Sequence, residues 1–252
     1  MPYSRLIPVL LLENGGLYKT RKFKSPVYIG DPINTVKIFN ELKVDELIIL
    51  GFMASKKGAA IDFDLLGEIA SEAFIPLSYG GGVSSISQIR KLFSVGFEKV
   101  VLNTAFLKDP SFVKKAVATF GSQSITIGID YKIDIFGRRK IYSHAGVDHN
   151  YNAVSEAIYD ADILNVGEIF LSCVSNDGEM KGIDKAFIVK VHNKLNLPIV
   201  GCGGLKNKNE INDLFSSGIE AVAGGSIFVY KGKQRGILIS YPEEVQIKRQ
   251  NR

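Results

Sequence analysis

The chain has 252 residues, of which 46% are hydrophobic and 23% charged, a composition that excludes a disordered protein. The sequence contains no run of about 18 apolar residues, the length that would cross a membrane, and the first residues lack the apolar region of a secretion signal. Two cysteines cannot build a disulfide framework, which favours a reducing cytoplasm. The formal charge of +5 is scattered, and Lys248, Arg249 and Arg252 lie in a basic C-terminal tail, so no nucleic-acid surface is indicated.

Short apolar, β-branched runs alternate along the chain with segments of helical periodicity. Strands are predicted at Arg5–Leu12, Glu46–Leu50, Pro76–Tyr79, Lys99–Leu102, Ser124–Asp130, Glu168–Ser172, Pro198–Val200 and Ala221–Ala223. Helices are predicted at Asn34–Leu42, Phe63–Ala73, Ser87–Phe93, Ser111–Phe120, Ala153–Asp162, Lys185–Leu195 and Asn209–Ser216. Buried parallel strands whose outer face is covered by helices close into a barrel. The sequence therefore predicts one α/β domain, a (β/α)8 TIM barrel.

A polar stretch, residues 132–150, interrupts this alternation after the fifth strand. No Pro-, Gly- or Ser-rich linker surrounds it, so it is expected to be an insertion within the barrel and not a domain boundary. Its Phe136-Gly-Arg-Arg sequence contains a turn signal. We therefore expect a β-hairpin here.

The sequence repeats itself after 122 residues. Without a gap, 11 of 32 positions are identical between residues 75–106 and 197–228, and the same shift pairs Glu46 with Glu168. A repeat of about half the chain predicts a barrel of two duplicated half-barrels, about residues 1–122 and 123–240, each with four strand–helix units.

Each half carries a Gly-Gly pair after one strand and a small or polar pair after the next. Loops at the C-terminal ends of barrel strands form the active face, and glycines there let backbone N–H groups approach an anion. The symmetric pair favours a ligand with a phosphate at each end over glycines that only make tight turns. The predicted phosphate-binding residues are Gly81, Gly82, Asn103 and Thr104 in the first half and Gly203, Gly204, Gly225 and Ser226 in the second.

Motifs along the whole chain carry a resemblance to a known family. They include Gly30-Asp-Pro, Gly80-Gly-Gly, Asn103-Thr-Ala, Thr119-Phe-Gly-Ser-Gln, Asn176-Asp-Gly and Gly182-Ile-Asp. With these motifs the chain resembles the cyclase subunit of imidazole glycerol phosphate synthase, which binds a bisphosphorylated substrate. The resemblance implies that Asp130 and Lys19 are catalytic, and it adds Asp177 and Gly178 to the phosphate-binding residues.

The resemblance also implies a partner protein. In that family a glutaminase docks at the N-terminal face of the barrel, and ammonia enters the barrel through a ring of one Arg, one Lys and two Glu. This chain has Arg5, Lys99, Glu46 and Glu168 at those positions. On the residues alone, four charges of alternating sign fit an ammonia gate and a structural salt-bridge cluster equally well. The resemblance favours the gate.

Three positions depart from the family pattern. Leu11 stands where the family has one of its two catalytic carboxylates, Gly51 replaces another acidic residue, and Glu13 lies where a basic residue is common. Leucine can neither give nor take a proton, so paired acid–base chemistry lacks one partner. Cyclase activity is therefore not expected.

The first segment, residues 5–20, looks more like a divergent branch of this family that is associated with bacterial surface-polysaccharide synthesis. In that branch a cyclase-like barrel and a glutaminase supply ammonia to a sugar amidotransferase that makes an acetamidino group. The sequence thus favours an ammonia-relaying subunit whose partners are a glutaminase, a sugar amidotransferase and a phosphorylated small molecule. A working cyclase of histidine biosynthesis and a non-catalytic scaffold that activates the glutaminase remain the alternatives.

The cysteines and histidines show no catalytic or metal-binding pattern. Cys173 and Cys202 have no histidine nearby in sequence and are expected to be small residues at the barrel rim. His144 and His149 lie in the polar stretch, and His192 is expected to be exposed on a helix. The sequence predicts neither a metal nor another cofactor.

Overall fold

The structure, a computed structural model, describes residues 4–232 and 234–242. Its strands are β1 (Arg5–Glu13), β2 (Gly16–Arg21), β3 (Lys24–Gly30), β4 (Leu47–Gly51), β5 (Leu77–Gly80), β6 (Lys99–Leu102), β7 (Ile125–Ile133), β8 (Arg139–Ile141), β9 (Glu168–Cys173), β10 (Ile199–Cys202), β11 (Ala221–Gly224), β12 (Tyr230–Lys231) and β13 (Gly236–Ile237). Its helices are α1 (Pro32–Glu41), α2 (Ala54–Lys57), α3 (Phe63–Ser71), α4 (Ile86–Ser94), α5 (Thr104–Lys108), α6 (Pro110–Phe120), α7 (Val154–Ile163), α8 (Lys185–His192), α9 (Lys208–Ser216) and α10 (Ser226–Val229).

Eight strands form a closed parallel barrel in the order β1, β4, β5, β6, β7, β9, β10 and β11. The barrel closes where β11 pairs in parallel with β1, with Arg5 opposite Ala221. All eight predicted strands and all seven predicted helices are present, with ends that differ by at most three residues from the expected ones. The predicted (β/α)8 barrel is confirmed.

Two hairpins rise from the C-terminal ends of barrel strands. The expected one joins β7 to β8, with Tyr131 opposite Ile141, and its turn is closed by the Asp134 N–H donating to the Arg138 carbonyl over 2.9 Å. The other joins β2 to β3 beside β1 and was not expected from the sequence. The short helices α2, α5 and α10 were not expected either.

The two halves have matching element bounds. A shift of 122 residues carries α1 onto α7, β5 onto β10, α4 onto α9 and β6 onto β11. In each pair the first positions and the last positions are 122 residues apart. The caps match too, because Ser85 begins α4 and Asn207 begins α9, and each side chain accepts the backbone N–H three residues later. This agreement supports the duplication into half-barrels, which remains a proposal.

Apolar side chains fill two spaces. The larger core lies between the strands and the surrounding helices. A second, smaller cluster fills the barrel interior, here called the lumen; its members are Ile7, Val9, Ile48, Val101, Phe170, Val200, Cys202, Ala221 and Ala223. Within the described residues no helix combines the length and the apolar character needed to span a bilayer. The basic residues of the C-terminal tail lie outside the described residues.

Candidate functional site

A cavity of about 1030 Å³, open to solvent, occupies the barrel mouth at the C-terminal ends of the strands. Its apolar wall includes Leu11, Phe23, Leu50 and Phe170. Its polar wall consists of Lys19, Thr20, Ser55, Asn103, Thr104, Asp130, His144, Ser172, Asp177 and Ser226. Both residues that the resemblance implied as catalytic, Lys19 and Asp130, therefore face one cavity.

Lys19 reaches from β2 into the top of the lumen. Its ammonium group donates to the carbonyl of Val9, and the residue is only 5% exposed. Gly225 makes room for it, because a Cβ at that position would lie 2.3 Å from Lys19 Nζ. Burial lowers the pKa of Lys19 to about 8, although the negative charge of Asp177 opposes the change. The amine thus titrates close to physiological pH.

Asp130 lies on β7 between the buried Ile129 and Tyr131 and accepts a hydrogen bond from Asn103 Nδ2 at 3.2 Å. Burial, and then the charge of Asp177, raise its pKa to about 7. The carboxyl group can therefore hold or release a proton near neutral pH, as a general acid or base must.

Asp177 ties the β2–β3 hairpin to the second half of the barrel. Its Oδ2 accepts from Thr20 Oγ1 at 3.1 Å and from the Phe23 N–H at 3.4 Å. Burial raises the pKa of Asp177, while Lys19 lowers it to a smaller extent. Next to it, Gly178 (φ +70°) passes so close to Thr20 that a Cβ would lie 2.3 Å from the Thr20 carbonyl oxygen. The hairpin that carries Lys19 is thereby held over the mouth.

The three departures from the family pattern lie on one side of the mouth. Leu11 lines the cavity and pairs with Leu50 of β4, so an apolar side chain stands at the position where the resemblance implies a carboxylate. Glu13 forms an ion pair with Lys57. At Gly51 a Cβ would lie 2.7 Å from the hydroxyl oxygen of Tyr79, a buried residue. The space for a side chain at position 51 is thus already taken.

The two sets of expected phosphate-binding residues are arranged differently. In the second half all six line one small pocket; they are Asp177, Gly178, Gly203, Gly204, Gly225 and Ser226. In the first half Gly81, Asn103 and Thr104 line the mouth cavity, whereas the Gly82 N–H donates to Ser55 Oγ at 3.1 Å. Packing alone already requires glycine at position 81, because a Cβ there would lie 2.4 Å from the carbonyl oxygen of Gly51.

The four expected gate residues form a closed ring at the barrel floor, the opposite end from the mouth. Arg5 lies 2.5 Å from Glu46 and 2.7 Å from Glu168, and Lys99 lies 3.1 and 3.2 Å from the same two carboxylates. Each carboxylate also accepts a hydrogen bond from a hydroxyl group of the barrel wall. Ser78 donates to Glu46 at 2.8 Å, and Thr126 donates to Glu168 at 3.1 Å. The alternating charges therefore seal the floor.

The ring is a nearly dry ionic layer. The side chains of Glu46 and Glu168 are 3% and 7% exposed, and those of Arg5 and Lys99 are 21% exposed. Burial alone would raise the pKa of Glu168, but the charges of Arg5 and Lys99 outweigh it and lower that pKa. Above the ring only the apolar lumen separates the floor from Lys19 and the mouth.

Three residues near the mouth were not predicted to belong to the site. Ser55 is the counterpart of Asp177 under the 122-residue shift, so the repeat could have revealed it. His144 lies edge-on to Phe23 at the cavity wall, and Cys202 lies in the lumen. His192 is half-buried near Gly218, so its expected exposure was wrong. Among residues 4–232 and 234–242 no group of three His, Cys, Asp or Glu side chains could hold a metal ion.

The raised pKa of Asp130 predicts a stability penalty. Its pKa of about 7 exceeds the unfolded value of about 3.9, so the free energy of unfolding should fall as pH rises between those values. At pH 8 the free energy of unfolding of Asp130→Asn should then exceed that of the unchanged chain by about 1–3 kcal/mol. This gain is smaller than the full pKa shift implies, because Asp130 faces an open cavity. Urea titrations should show this gain at pH 8 and none near pH 4; an equal effect at both would contradict the prediction.

Comparisons with known proteins match this chain over nearly its whole length. The family described as "Histidine biosynthesis protein" matches residues 5–235. "Putative imidazole glycerol phosphate synthase subunit hisF2" of Pseudomonas aeruginosa is 42% identical over 244 residues, 96% of this chain and 97% of that protein. "Imidazole glycerol phosphate synthase subunit HisF" is 34% identical in Staphylococcus saprophyticus, over 84% of each chain, and 30% identical in Helicobacter hepaticus, over 96% of each chain.

Proposed function

Because the chain belongs to the HisF family of histidine biosynthesis proteins, we propose that it relays ammonia from a glutaminase through its barrel to an amidation reaction at the mouth. One observation carries this proposal: the charged ring of Arg5, Glu46, Lys99 and Glu168 is complete, while Leu11 stands where a cyclase needs a carboxylate. The chain keeps the charged ring through which ammonia would enter and lacks one half of the ring-closing chemistry.

The interior of the barrel suits ammonia better than ammonium. Ile7, Ile48 and Ala223 belong to the apolar lumen, which would admit a small neutral molecule but would impose a large desolvation cost on a cation. The ionic ring below it excludes free passage of water and ions while it is closed. A glutaminase that covers the N-terminal face would release ammonia directly at this ring.

The acceptor of the ammonia is proposed to be a sugar bound to a separate amidotransferase, which forms an acetamidino group for a surface polysaccharide. This follows from the resemblance of residues 5–20 to the divergent branch and from the apolar Leu11 in the mouth. The barrel would then supply nitrogen, while the partner enzyme activates and holds the sugar.

Lys99→Met tests the relay, with glutamine and ammonium compared as nitrogen sources. The change leaves Glu46 and Glu168 with Arg5 as their only ring cation, and the partly unpaired carboxylates should draw protons and water to the entrance. Ammonia would be trapped there as ammonium. We expect the glutamine-driven amidation to fall and the ammonium-driven amidation to stay largely unchanged.

The matched control is Lys114→Met, which removes one exposed lysine from α6. Thermal melting of both variants checks that they are folded. Equal effects of Lys99→Met with the two nitrogen sources, or no one-to-one complex with a glutaminase, would leave a structural salt-bridge cluster and overturn the relay.

A second candidate function is cyclisation of the family's bisphosphate substrate. The pKa of Asp130 near 7 and the buried amine of Lys19 favour it, because both groups can exchange protons at neutral pH. Relatives with matching length are named as synthase subunits. Against it stands Leu11, which leaves Asp130 without its partner carboxylate.

Phosphate binding is proposed for the small pocket of the second half and for Asn103 and Thr104 in the first. Phosphate or sulfate at millimolar concentration should raise the melting temperature by mass action. Ser226→Asp places a negative charge in the small pocket and should reduce this rise, whereas the control Ser155→Asp, on exposed α7, should not. No rise with the unchanged chain would contradict the proposal.

A further inference from the structure

A patch of apolar surface lies on the barrel floor, in the connection between α3 and β5. Here called the floor patch, it consists of Phe74, which is 88% exposed, and the half-buried Ala73, Ile75 and Pro76. Helix-to-strand connections lie at the N-terminal ends of barrel strands, the end that the charged ring closes. Among these connections in the described residues, no other large apolar side chain is exposed. The floor patch is therefore a distinct apolar feature of this face.

The hydrogen bonds of the sheet place the floor patch next to the ring. Leu47 of β4 pairs with Leu77 of β5, and the Leu47 N–H donates to the Pro76 carbonyl at 3.0 Å. Glu46, a member of the ring, precedes Leu47, so Glu46 and Pro76 lie at the same level of the barrel. Phe74 comes two residues before Pro76 and lies on the solvent side of that level. A protein that covers the ring therefore meets Phe74.

The backbone that carries Phe74 is held in place by α1. The side chain of Asn40 accepts the Phe74 N–H at 3.0 Å through Oδ1, and its Nδ2 donates to the Glu72 carbonyl. The Glu72 side chain also forms an ion pair with Lys37 of α1 at 3.3 Å. An aromatic side chain on a fixed backbone loses little conformational entropy when it binds, because it has only two side-chain torsions. Phe74 is thus preorganised for contact with a partner.

The repeat shows that the fold does not require an aromatic residue at this place. The 122-residue shift carries Ala73-Phe-Ile-Pro onto Leu195-Asn-Leu-Pro, so Asn196 is the counterpart of Phe74. Asn196 is exposed as well, and the strands that follow, β5 and β10, have bounds that match under the shift. The second half therefore builds the same connection with a polar residue. The exposed aromatic ring of the first half needs another reason, and contact with a partner supplies one.

The chemistry of Phe74 and the position of the ring define the partner. A phenyl ring has no hydrogen-bonding group, so it gains free energy only by entering an apolar cleft, as aromatic residues do at the centres of protein interfaces. The neighbouring ring exposes parts of Arg5 and Lys99, which a covering protein must meet with polar groups. The partner is thus a protein with an apolar cleft beside a polar surface. The proposed function places a glutaminase at this position.

We infer that Phe74 is the apolar anchor by which the glutaminase docks on the barrel floor. The inference rests on the proposed function, which places that glutaminase over the charged ring. Burial of Phe74 in the glutaminase would exclude water from the contact next to the ring. Ammonia released there would then enter the barrel in preference to the solvent.

The test measures the Kd of this chain for its purified glutaminase. Phe74→Asn installs the residue that the second half carries and should raise the Kd at least ten-fold, because the loss of an anchor side chain dominates the loss of affinity. The matched control is Phe136→Asn, which removes an aromatic residue that is 74% exposed on the β7–β8 hairpin at the other end of the barrel. It should bind normally. Both positions are exposed, so both variants should melt like the unchanged chain.

Amidation gives a second measurement of the same anchor. At a limiting concentration of glutaminase, Phe74→Asn should slow the glutamine-driven reaction, and excess glutaminase should restore it by mass action. The ammonium-driven reaction needs no glutaminase and should stay unchanged. A slower ammonium-driven reaction would show that the substitution disturbs the barrel itself and would overturn the inference.

The remaining outcomes separate the anchor from the relay. Equal binding by Phe74→Asn and the unchanged chain, or equal weakening by Phe136→Asn, overturns the inference. Altered self-association of this chain with unaltered glutaminase binding would assign Phe74 to a contact between two copies and also overturn it. Failure of the unchanged chain to bind the glutaminase rejects the proposed function together with the anchor. Weakened docking of Phe74→Asn beside equal effects of Lys99→Met with both nitrogen sources retains the anchor and rejects the relay.

Discussion

Arg5→Met is expected to lower the free energy of unfolding by about 3 kcal/mol at pH 7. The change removes a guanidinium that lies 2.5 and 2.7 Å from two buried carboxylates, and an unpaired buried charge typically costs about 3–5 kcal/mol. The lower end of that range applies because Lys99 still contacts both Glu46 and Glu168. Urea unfolding of the purified chain measures the difference.

The ring also predicts how that difference depends on pH. The pKa of Glu168 is lowered in the folded protein, so its contribution to stability is present above the unfolded value of about 4.3 and is lost as pH falls through the folded value. The difference in the free energy of unfolding between the unchanged chain and Arg5→Met should therefore become smaller below about pH 4. Adding Glu168→Gln to Arg5→Met should recover part of the loss, since one orphaned charge disappears. A loss under about 1 kcal/mol at pH 7 would mean that the ring is well solvated.

Cyclisation of the family's bisphosphate substrate with added ammonium is expected to be about 10²- to 10⁴-fold slower than in a relative that keeps both carboxylates. That range is the usual contribution of one general acid or base, and Leu11 supplies neither. Product formation by the purified chain, measured beside such a relative, gives the ratio. Turnover on the order of 1 s⁻¹ or faster would contradict this prediction and favour the hypothesis that the chain is a working cyclase.

Leu11→Asp alone is not expected to restore full activity. Position 51 also lacks the acidic residue that the resemblance implies, and Tyr79 occupies the space that a side chain there would need. Asp130→Asn in the Leu11→Asp background is the matched control, because any cyclisation that Leu11→Asp gains should depend on Asp130. Gain without that dependence would show that other groups move the protons.

The barrel could be predicted because its strands are buried on both faces and read as continuous apolar runs. Leu47 to Leu50 and Val100 to Leu102 are such runs, and each is followed by a helical stripe. The β2–β3 hairpin could not be recognised in this way. The Asn14-Gly15 turn, with φ of 47° and 75°, leads from β1 into β2 and is a turn signal in the sequence. The turn between β2 and β3 is Lys22-Phe23, which carries no such signal, and β3 is mostly exposed and shows no alternation.

The site was only partly accessible to sequence reasoning. The repeat indicated the glycines, and the resemblance indicated Asp130 and Lys19, but spacing cannot show that Lys19 turns inward to the Val9 carbonyl. Nor can it show that Ser55 already accepts the N–H of Gly82. These contacts depend on how neighbouring strands and hairpins are staggered in space, which the linear pattern does not specify.

The pairing of Gly51 with Tyr79 limits which side chains the mouth can carry. Tyr79 is 3% exposed and packs edge-on against Phe97, so its ring has little freedom to move aside. An acidic residue introduced at position 51 would meet the tyrosine hydroxyl at once, at 2.7 Å from its Cβ. Introduced alone it would be poorly packed, so an acidic side chain at this position requires a second change at Tyr79. The chemistry available at this edge of the mouth is thus limited by a neighbour that lies outside the lining of the cavity.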